Sequence, residues 1–589
     1  MTTESKALSA FEARSDLEGY GSNALLLFAL QLRWGIADIE GVAATALTDH
    51  ANDKKCDLVY VDRDAGRVVV AQGYLARKHL EAAPANKASD LNTAVTWLLS
   101  GDVEKLPETL RSAAEEVRDA IEQDQISDVH IWYSHNAPES ENVRIELGQA
   151  ARTADSLIKR YFPDRQIAVS ALEVGREQLE EMYARTEAPI AVSAEFSLSV
   201  SGGFEVESER WKAFTTAVPG TWLREQWDAY GGDLMSPNVR DYLGIVRSER
   251  NINNGIKTSA SETPEQFWIY NNGITVLVHE YQAEGPTNDG SYRLKLKGLG
   301  IVNGAQTTGA LATLSDEDAP NLGKATVLTR FVKCDDPDVL ADIVKFNNTQ
   351  NKVEAADFRS KDAVQERLRE EFAAVPDADY RGGRRGGVKD AIERSRNLLP
   401  DSAVAQALAA FYGQPNLAYN ETRRIWEENA VYARYFTDRT SARHVVFAYS
   451  LLRALEGAKK RINDVPDTDR TEAQKRHTQF FRRRGSIHLL VAAISSSIET
   501  FLDKPIPDRT RLRFADNCSP KDAVERWQPV VDAALSFSTQ LLDATDTGLK
   551  NPETVRRAME PFQAMIEATA DVNREKYDGF TKTVDVGVT

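Results

Sequence analysis

Cysteine is scarce. Cys56, Cys334 and Cys518 are the three in 589 residues, and they lie far apart along the chain. That spacing argues against a disulfide framework and fits a reducing compartment. There is no CxxC pair and no HExxH, and the eight histidines are scattered, so the usual zinc-ligand spacings are missing. A G-x-x-x-x-G-K-[ST] loop is also missing, which excludes a P-loop NTPase. Apolar runs such as 24–30 and 489–494 fall well short of the ~20 residues that span a bilayer. The start, MTTESKALSAFEARSD, lacks the basic, apolar and small-residue order of a signal peptide. A cytoplasmic protein without a membrane partner is expected. Basic residues are in deficit, 72 Lys and Arg against 89 Asp and Glu, for a net charge of −17. This is the wrong sign for coating nucleic acid non-specifically, so any such contact must come from local basic patches.

What is present is an ordinary globular balance, with 42% hydrophobic and 27% charged residues. At roughly 150 residues per domain the length corresponds to about four domain equivalents. Up to residue 185 the pattern alternates. It predicts an apolar helix over 23–34, strands over 57–62 (DLVYVD) and 67–71 (RVVVA), helices over 88–99 and 107–123, and a buried strand over 129–133. A helix over 143–161 and a strand over 167–172 close a mixed α/β unit. Residues 186–398 read as a second, central α/β domain, with strands over 190–200, 275–279, 294–302 and 326–332. Residues 399–589 read as an all-helical C-terminal domain, polar and frayed from about Arg574. The spacing places His130 and His135 on opposite faces of one strand, and Trp97, Trp132 and Trp268 are read as core.

If Arg63 to Gly66 connect the first two strands, Asp62 pairs with Arg67 and Asp57 falls opposite Gln72, with Cβ atoms within about 5 Å. Two such oxygen donors, beside Glu12 or Glu18 from the preceding segment, can hold Mg²⁺ or Mn²⁺. A metal there can activate water for phosphodiester hydrolysis. The layout resembles the PD-(D/E)XK nuclease core, a restriction-endonuclease-like mixed sheet in which Asp begins one strand and Glu or Gln, followed two residues later by Lys, ends the next. Here the motif is degenerate, because Tyr74 stands where the lysine belongs and the nearest basic groups are Arg77 and Lys78. The resemblance implies Asp57, Gln72, Glu18 and Lys78 as catalytic candidates, with Asp57 and Gln72 as metal ligands. A binding-only version stays open.

Polar, amide-rich clusters follow: NVRDYLG (238–244), PEQFWIYNNG (264–273), IVNGAQTT (301–308) and FNNTQNKV (346–353). Side-chain amides offer donors and acceptors without charge, and Asn and Gly tolerate turns with positive φ. In this order, with YRGGRRGG (380–387), SAVAQALAAFYG (402–413) and YARYF (432–436), they resemble the abortive-infection phage-resistance (AIPR) family from about Trp222 to Arg453. The resemblance implies bacterial antiphage defence, and a nuclease-like hairpin is often carried ahead of this domain. IVNGAQTT also resembles the DGQHR-type segment of ParB-like nucleotide-binding proteins, with Asn303 in place of Asp and Thr307 in place of His. This implies a nucleotide site at Asn271, Asn272, Asn303, Gly304, Gln306, Thr307, Asn348 and Gln350, with binding or hydrolysis both open. Arg381, Arg384 and Arg385, and Arg482, Arg483 and Arg484 behind Phe480-Phe481, are the candidate nucleic-acid patches. The implied partners are DNA or RNA and a phage-derived trigger; self-association is open.

Overall fold

The N-terminal sheet forms because β2 (Arg67–Tyr74) is apolar on both faces. Val68 and Val70 enter one core while Val69 and Ala71 enter another. The first core is covered by α4 (Ala85–Ser100), α5 (Glu108–Glu122) and α6 (Glu141–Tyr161). The second is covered by α1 (Lys6–Glu12), α2 (Ala24–Trp34), α3 (Ile39–Ala46) and α7 (Arg176–Glu187). Apart from Arg33, every residue of α2 is buried, as expected of a helix apolar all round. The strand order is β1 (Leu58–Asp62), β2, β3 (Asp128–His135), β4 (Ala168–Val174). β1 and β2 form an antiparallel hairpin with Asp62 opposite Arg67, and β2–β3–β4 are parallel. The computed structural model describes residues 5–48, 55–187, 190, 192–231, 234–235, 247–287, 290–312, 314, 319–336, 339–340, 343, 347, 359, 362–383 and 397–587.

The central sheet runs β5 (Val192–Val200), β10 (Tyr292–Asn303), β8 (Ile274–Leu277), β11 (Thr326–Cys334), β7 (Trp211–Pro219), β6 (Gly203–Glu207), with β9 (Glu280–Glu284) on β10. β8 and β11 pair in parallel, while β7, β6, β9 and β5 pair antiparallel with their neighbours. The sequence reading passed over β6, β7 and β9. β6 is a mostly exposed edge, GFEVE, with little of the apolar content that marks a buried strand. Helices α8 (Gly220–Tyr230), α9 (Arg247–Glu262), α10 (Phe267–Tyr270) and α11 (Ala305–Ala312) belong to this part of the chain.

Beyond residue 362 helices dominate, arranged around the 442–463 helix, whose buried residues meet Phe411, Trp527 and Phe580 in one core. Leu368 and Phe372 of the 363–372 helix join that core. A short strand pair, 513–514 with 584–585, interrupts the all-helical expectation for 399–589, and a second pair, 379–380 with 398–399, sits at its start. The end of the chain is also not frayed from Arg574. Tyr577 and Phe580, spaced i, i+3, bury one face of the 570–583 helix, and Val584 pairs with Phe514. Trp132 is buried as expected, but Trp268 is 37% exposed, so that core assignment is corrected. The short FWIY helix buries Phe267 and turns its next three residues outward.

His444 sits fully buried in the long helix. Its Nδ1 lies 2.8 Å from the Leu512 carbonyl and its Nε2 2.9 Å from the Tyr412 hydroxyl. A carbonyl can only accept, so Nδ1 carries the proton and Nε2 accepts from Tyr412. Burial pushes its pKa down to about 4. The folded value lies below the unfolded one, so the unfolded chain binds the proton more tightly, and stability is lost as pH falls from about 6.5 through about 4. Urea midpoints measured across that window are expected to fall less steeply in His444→Gln than in the parent.

Candidate functional site

Asp57 immediately precedes β1, where the ladder opens at Leu58 opposite Ala71. Its N–H donates to the Ala71 carbonyl at 3.0 Å, so the strict opposition to Gln72 expected from the register is replaced by an irregular start. The carboxylate still reaches the end of β2, with Oδ2 accepting from the Gly73 N–H at 2.8 Å. Asp57 is 7% exposed and Gln72 4%. Gln72 Oε1 is buried without a hydrogen-bond partner among the described residues, a costly state for an amide oxygen. The backbone is closely approached at Gly73, where a Cβ would lie 3.0 Å from the Ser22 carbonyl and 3.1 Å from Asn23 Oδ1.

The same edge gathers groups that the hairpin alone does not reveal. Tyr133 on β3 is opposite Gln72 in the parallel register. Burial raises its hydroxyl pKa, with Tyr74, Glu173 and Asp57 adding to the shift. Glu173 on β4 is opposite Tyr133. Its Oε1 is 3.1 Å from His135 Nε2, and the Ser140 N–H reaches both its oxygens at 3.1 and 3.2 Å. His135 therefore faces this cluster, while His130 lies tilted against Trp34 with ring centroids 5.5 Å apart, in keeping with opposite faces of one strand. Lys87, in the first turn of α4, places its Nζ 5.8 Å from the ring centroid of Tyr74, the residue that stands where the motif has its lysine. Glu18 and Lys78 are exposed and make no side-chain hydrogen bond or ion pair among the described residues. No group of three or more His, Cys, Asp or Glu that could hold a metal occurs among the described residues. A metal at this edge would rest on Asp57, Gln72 and water.

The central sheet builds a second junction. β10 ends at Asn303, opposite Thr275 of β8, which in turn is opposite Arg330 of β11. Arg330 donates to Thr275 Oγ1 at 2.8 Å. Asn271 Nδ2 donates to Thr307 Oγ1 at 3.0 Å, and Asn271 Oδ1 accepts from the Gly273 N–H at 2.9 Å. Two separated motifs, YNNG and NGAQT, therefore meet at the start of α11. Asn272 is exposed, Asn303 and Gln306 half-buried and Thr307 buried. Gly304 has φ +103, and a Cβ there would lie 2.1 Å from Ile274 Cγ2. Gly304→Ala is expected to cost about 1–3 kcal/mol in backbone strain alone, read as a lower urea midpoint. Thr275 and Arg330 escaped the sequence reading because each sits in an unremarkable strand.

Asn348, Gln350, Arg384 and Arg385 lie outside the described residues. Arg381 pairs with Asp379 at 3.5 Å, and the adjoining Gly382 and Gly383 N–H groups hold the Asp401 carboxylate at 3.1 and 2.8 Å. Arg482, Arg483 and Arg484 are mostly enclosed where the helical part meets the N-terminal unit. Arg483 pairs with Glu108 at 3.5 Å and Asp546 at 3.1 Å, and Arg484 with Glu116 at 3.4 Å.

These features describe a mixed α/β protein with a helical C-terminal region and amide-rich turns at a strand-to-helix junction. The family model described as AIPR protein matches residues 235–512 of the chain. The match takes in the YNNG and NGAQT segments and extends well into the helical part. No curated protein and no solved structure matches the chain. No helix among the described residues is long and apolar enough to cross a membrane.

Proposed function

We propose that this chain acts in antiphage defence by abortive infection, with a divalent-metal phosphodiesterase centre at the N-terminal sheet edge and a ligand-sensing junction in the central sheet that controls it. The AIPR match over 235–512 supports the defence role. The nuclease reading is carried by the buried, unpartnered Gln72 Oε1 at the strand end where Gly73 binds the Asp57 carboxylate. Hard oxygen donors of this kind suit Mg²⁺ or Mn²⁺, which keep several waters and need few protein ligands. When bound, the ion supplies Lewis-acid activation of a water and of the phosphate. Asp57 and Gln72 would hold it, and Lys87 would place positive charge against the scissile phosphate, the role a lysine at position 74 would otherwise fill.

The direct test is cleavage of plasmid DNA and total RNA by the purified chain with Mg²⁺ or Mn²⁺, with and without nucleoside triphosphates. Cleavage of one polymer that vanishes in Asp57→Ala supports the reading and names the target. A folded parent that cuts neither under any condition sinks it. A binding-only reading is favoured by Glu173, whose two oxygens are taken by His135 and Ser140, leaving Asp57 to carry the site's charge. Under that reading the central junction, with Asn303 and Gln306 beside the start of α11, would bind a nucleotide without cutting at the edge.

A further inference from the structure

A cavity lies where residues 44–48 meet the 442–463 helix and the start of the 486–496 helix. The cavity volume is about 30 Å³, more than one water needs and far less than a nucleobase. Lys459, Arg482, Arg483 and Arg484 line it, and among the described residues no carboxylate does. Arg483 and Arg484 are offset by Glu108, Asp546 and Glu116, which lie outside the lining. Lys459 and Arg482 form no ion pair among the described residues, although Lys459 Nζ donates to the Ala44 carbonyl at 2.6 Å.

Two independent features converge on the same space. The 486–496 helix begins at Gly485 with no side-chain cap, so the N–H groups of its first turn lack partners within the helix and present the positive end of its dipole. His488, in that first turn, lines the cavity, is 4% exposed and has no hydrogen-bond partner at either ring nitrogen. A buried imidazole with both nitrogens unmet is destabilising unless a ligand satisfies it.

We propose that this cavity binds one phosphate-type oxyanion, either free inorganic phosphate or the terminal phosphoryl group of a phosphomonoester, between Lys459, Arg482, His488 and the first turn of the 486–496 helix. Lys459 and Arg482, which no ion pair offsets among the described residues, are stabilised by an anion, and a tetrahedral oxyanion matches both the room and the fork of donors. Burial and the neighbouring Arg484 push the Lys459 pKa down to about 7, against the opposing influence of Glu456. Because residues 44–48 belong to the N-terminal unit and the rest to the helical part, the bound anion would fasten one to the other. Thr48 in the lining donates its N–H to the Asp57 carbonyl at 3.0 Å, but neither Asp57 nor Gln72 lines the cavity, and anion binding is read without cleavage, so the test stands whether or not the chain cuts a polymer.

Isothermal titration of the full chain at pH 7 with inorganic phosphate, with AMP and with chloride at matched ionic strength reads this directly. The expected result is saturable binding of one phosphate or one AMP per chain, none of chloride, and at least tenfold weaker binding in both Arg482→Gln and Lys459→Met. Arg482→Gln removes a cation that has no ion pair among the described residues, so it should keep the parent's circular dichroism and urea midpoint, while Lys459→Met also gives up the hydrogen bond to the Ala44 carbonyl and should lower the midpoint but keep the circular dichroism. Tighter phosphate than AMP identifies the free anion as occupant; tighter AMP identifies a phosphomonoester whose remainder leaves through the mouth. Absence of saturable binding by either, or affinities unchanged in both folded variants, overturns the proposal.

Discussion

Asp57→Ala is expected to lower metal-dependent cleavage by at least about 10²-fold, the scale of losing a ligand that holds a catalytic ion. At 1.36 kcal/mol per tenfold this corresponds to about 2.7 kcal/mol of transition-state stabilisation. Gln72→Ala should act the same way, because its buried Oε1 has no structural partner whose loss could explain a defect. The readout that separates metal binding from misfolding is the Mn²⁺ concentration for half-maximal cleavage. A ligand variant should raise it, while a merely loosened fold lowers the rate at every metal concentration. Asp57 also accepts from the Gly73 N–H at 2.8 Å, so Asp57→Asn, which keeps that acceptor, is the cleaner variant for the chemistry.

The lysine question has its own test. Lys87 stands 5.8 Å from the Tyr74 ring, and Lys78, nearer in sequence, is exposed without a side-chain partner. Lys87→Met is expected to lower the cleavage rate about tenfold or more, and Lys78→Met to leave it unchanged. Adding Tyr74→Lys to Lys87→Met should restore much of the loss by returning a cation to the strand end. If Lys78→Met abolishes cleavage while Lys87→Met does not, the assignment of the cation is reversed.

The hairpin was legible in the sequence because its pattern is local. DLVYVD and RVVVA flank a four-residue turn closed by Gly66, and the structure pairs Asp62 with Arg67 as that spacing demands. The irregular start at Asp57 was not legible, because an alternating pattern carries no sign that one N–H will skip its register partner. Lys87, Glu173 and Tyr133 reach the edge from α4, β4 and β3, so only the parallel sheet order brings them there. The central junction was half legible: Asn271 and Thr307 stood in separate motifs, and the meeting of β8 and β10 joined them. The enclosure of Arg482 to Arg484 could not be read from a basic run, since FFRRRG looks the same on a surface as at a contact between two parts of a fold.

Arg453→Met is expected to destabilise the chain by about 3–5 kcal/mol, the cost of removing one partner from a buried charge group. Arg453 donates to Asp38 Oδ1 at 2.5 Å, to Glu456 Oε2 at 2.6 Å and to the Tyr449 hydroxyl at 2.9 Å. Asp38 caps α3 by accepting from the Gly41 N–H, so the guanidinium ties the N-terminal helices to the helical core. Methionine leaves Asp38 and Glu456 enclosed without their cation, with Glu40 also nearby and Lys459 committed to the Ala44 carbonyl. Burial holds the Glu456 pKa at about 7 even with Arg453 present. Its folded value lies above the unfolded one, so its stabilising contribution is full below about 4.5 and is lost as pH rises through about 7. Removing Arg453 takes away the charge that favours the Glu456 anion, so the deficit measured by urea denaturation should be smaller near pH 5 than near pH 8. Glu456→Gln in the Arg453→Met background should remove most of that pH dependence. A deficit equal at both pH values would mean that Glu456 is not the group left stranded.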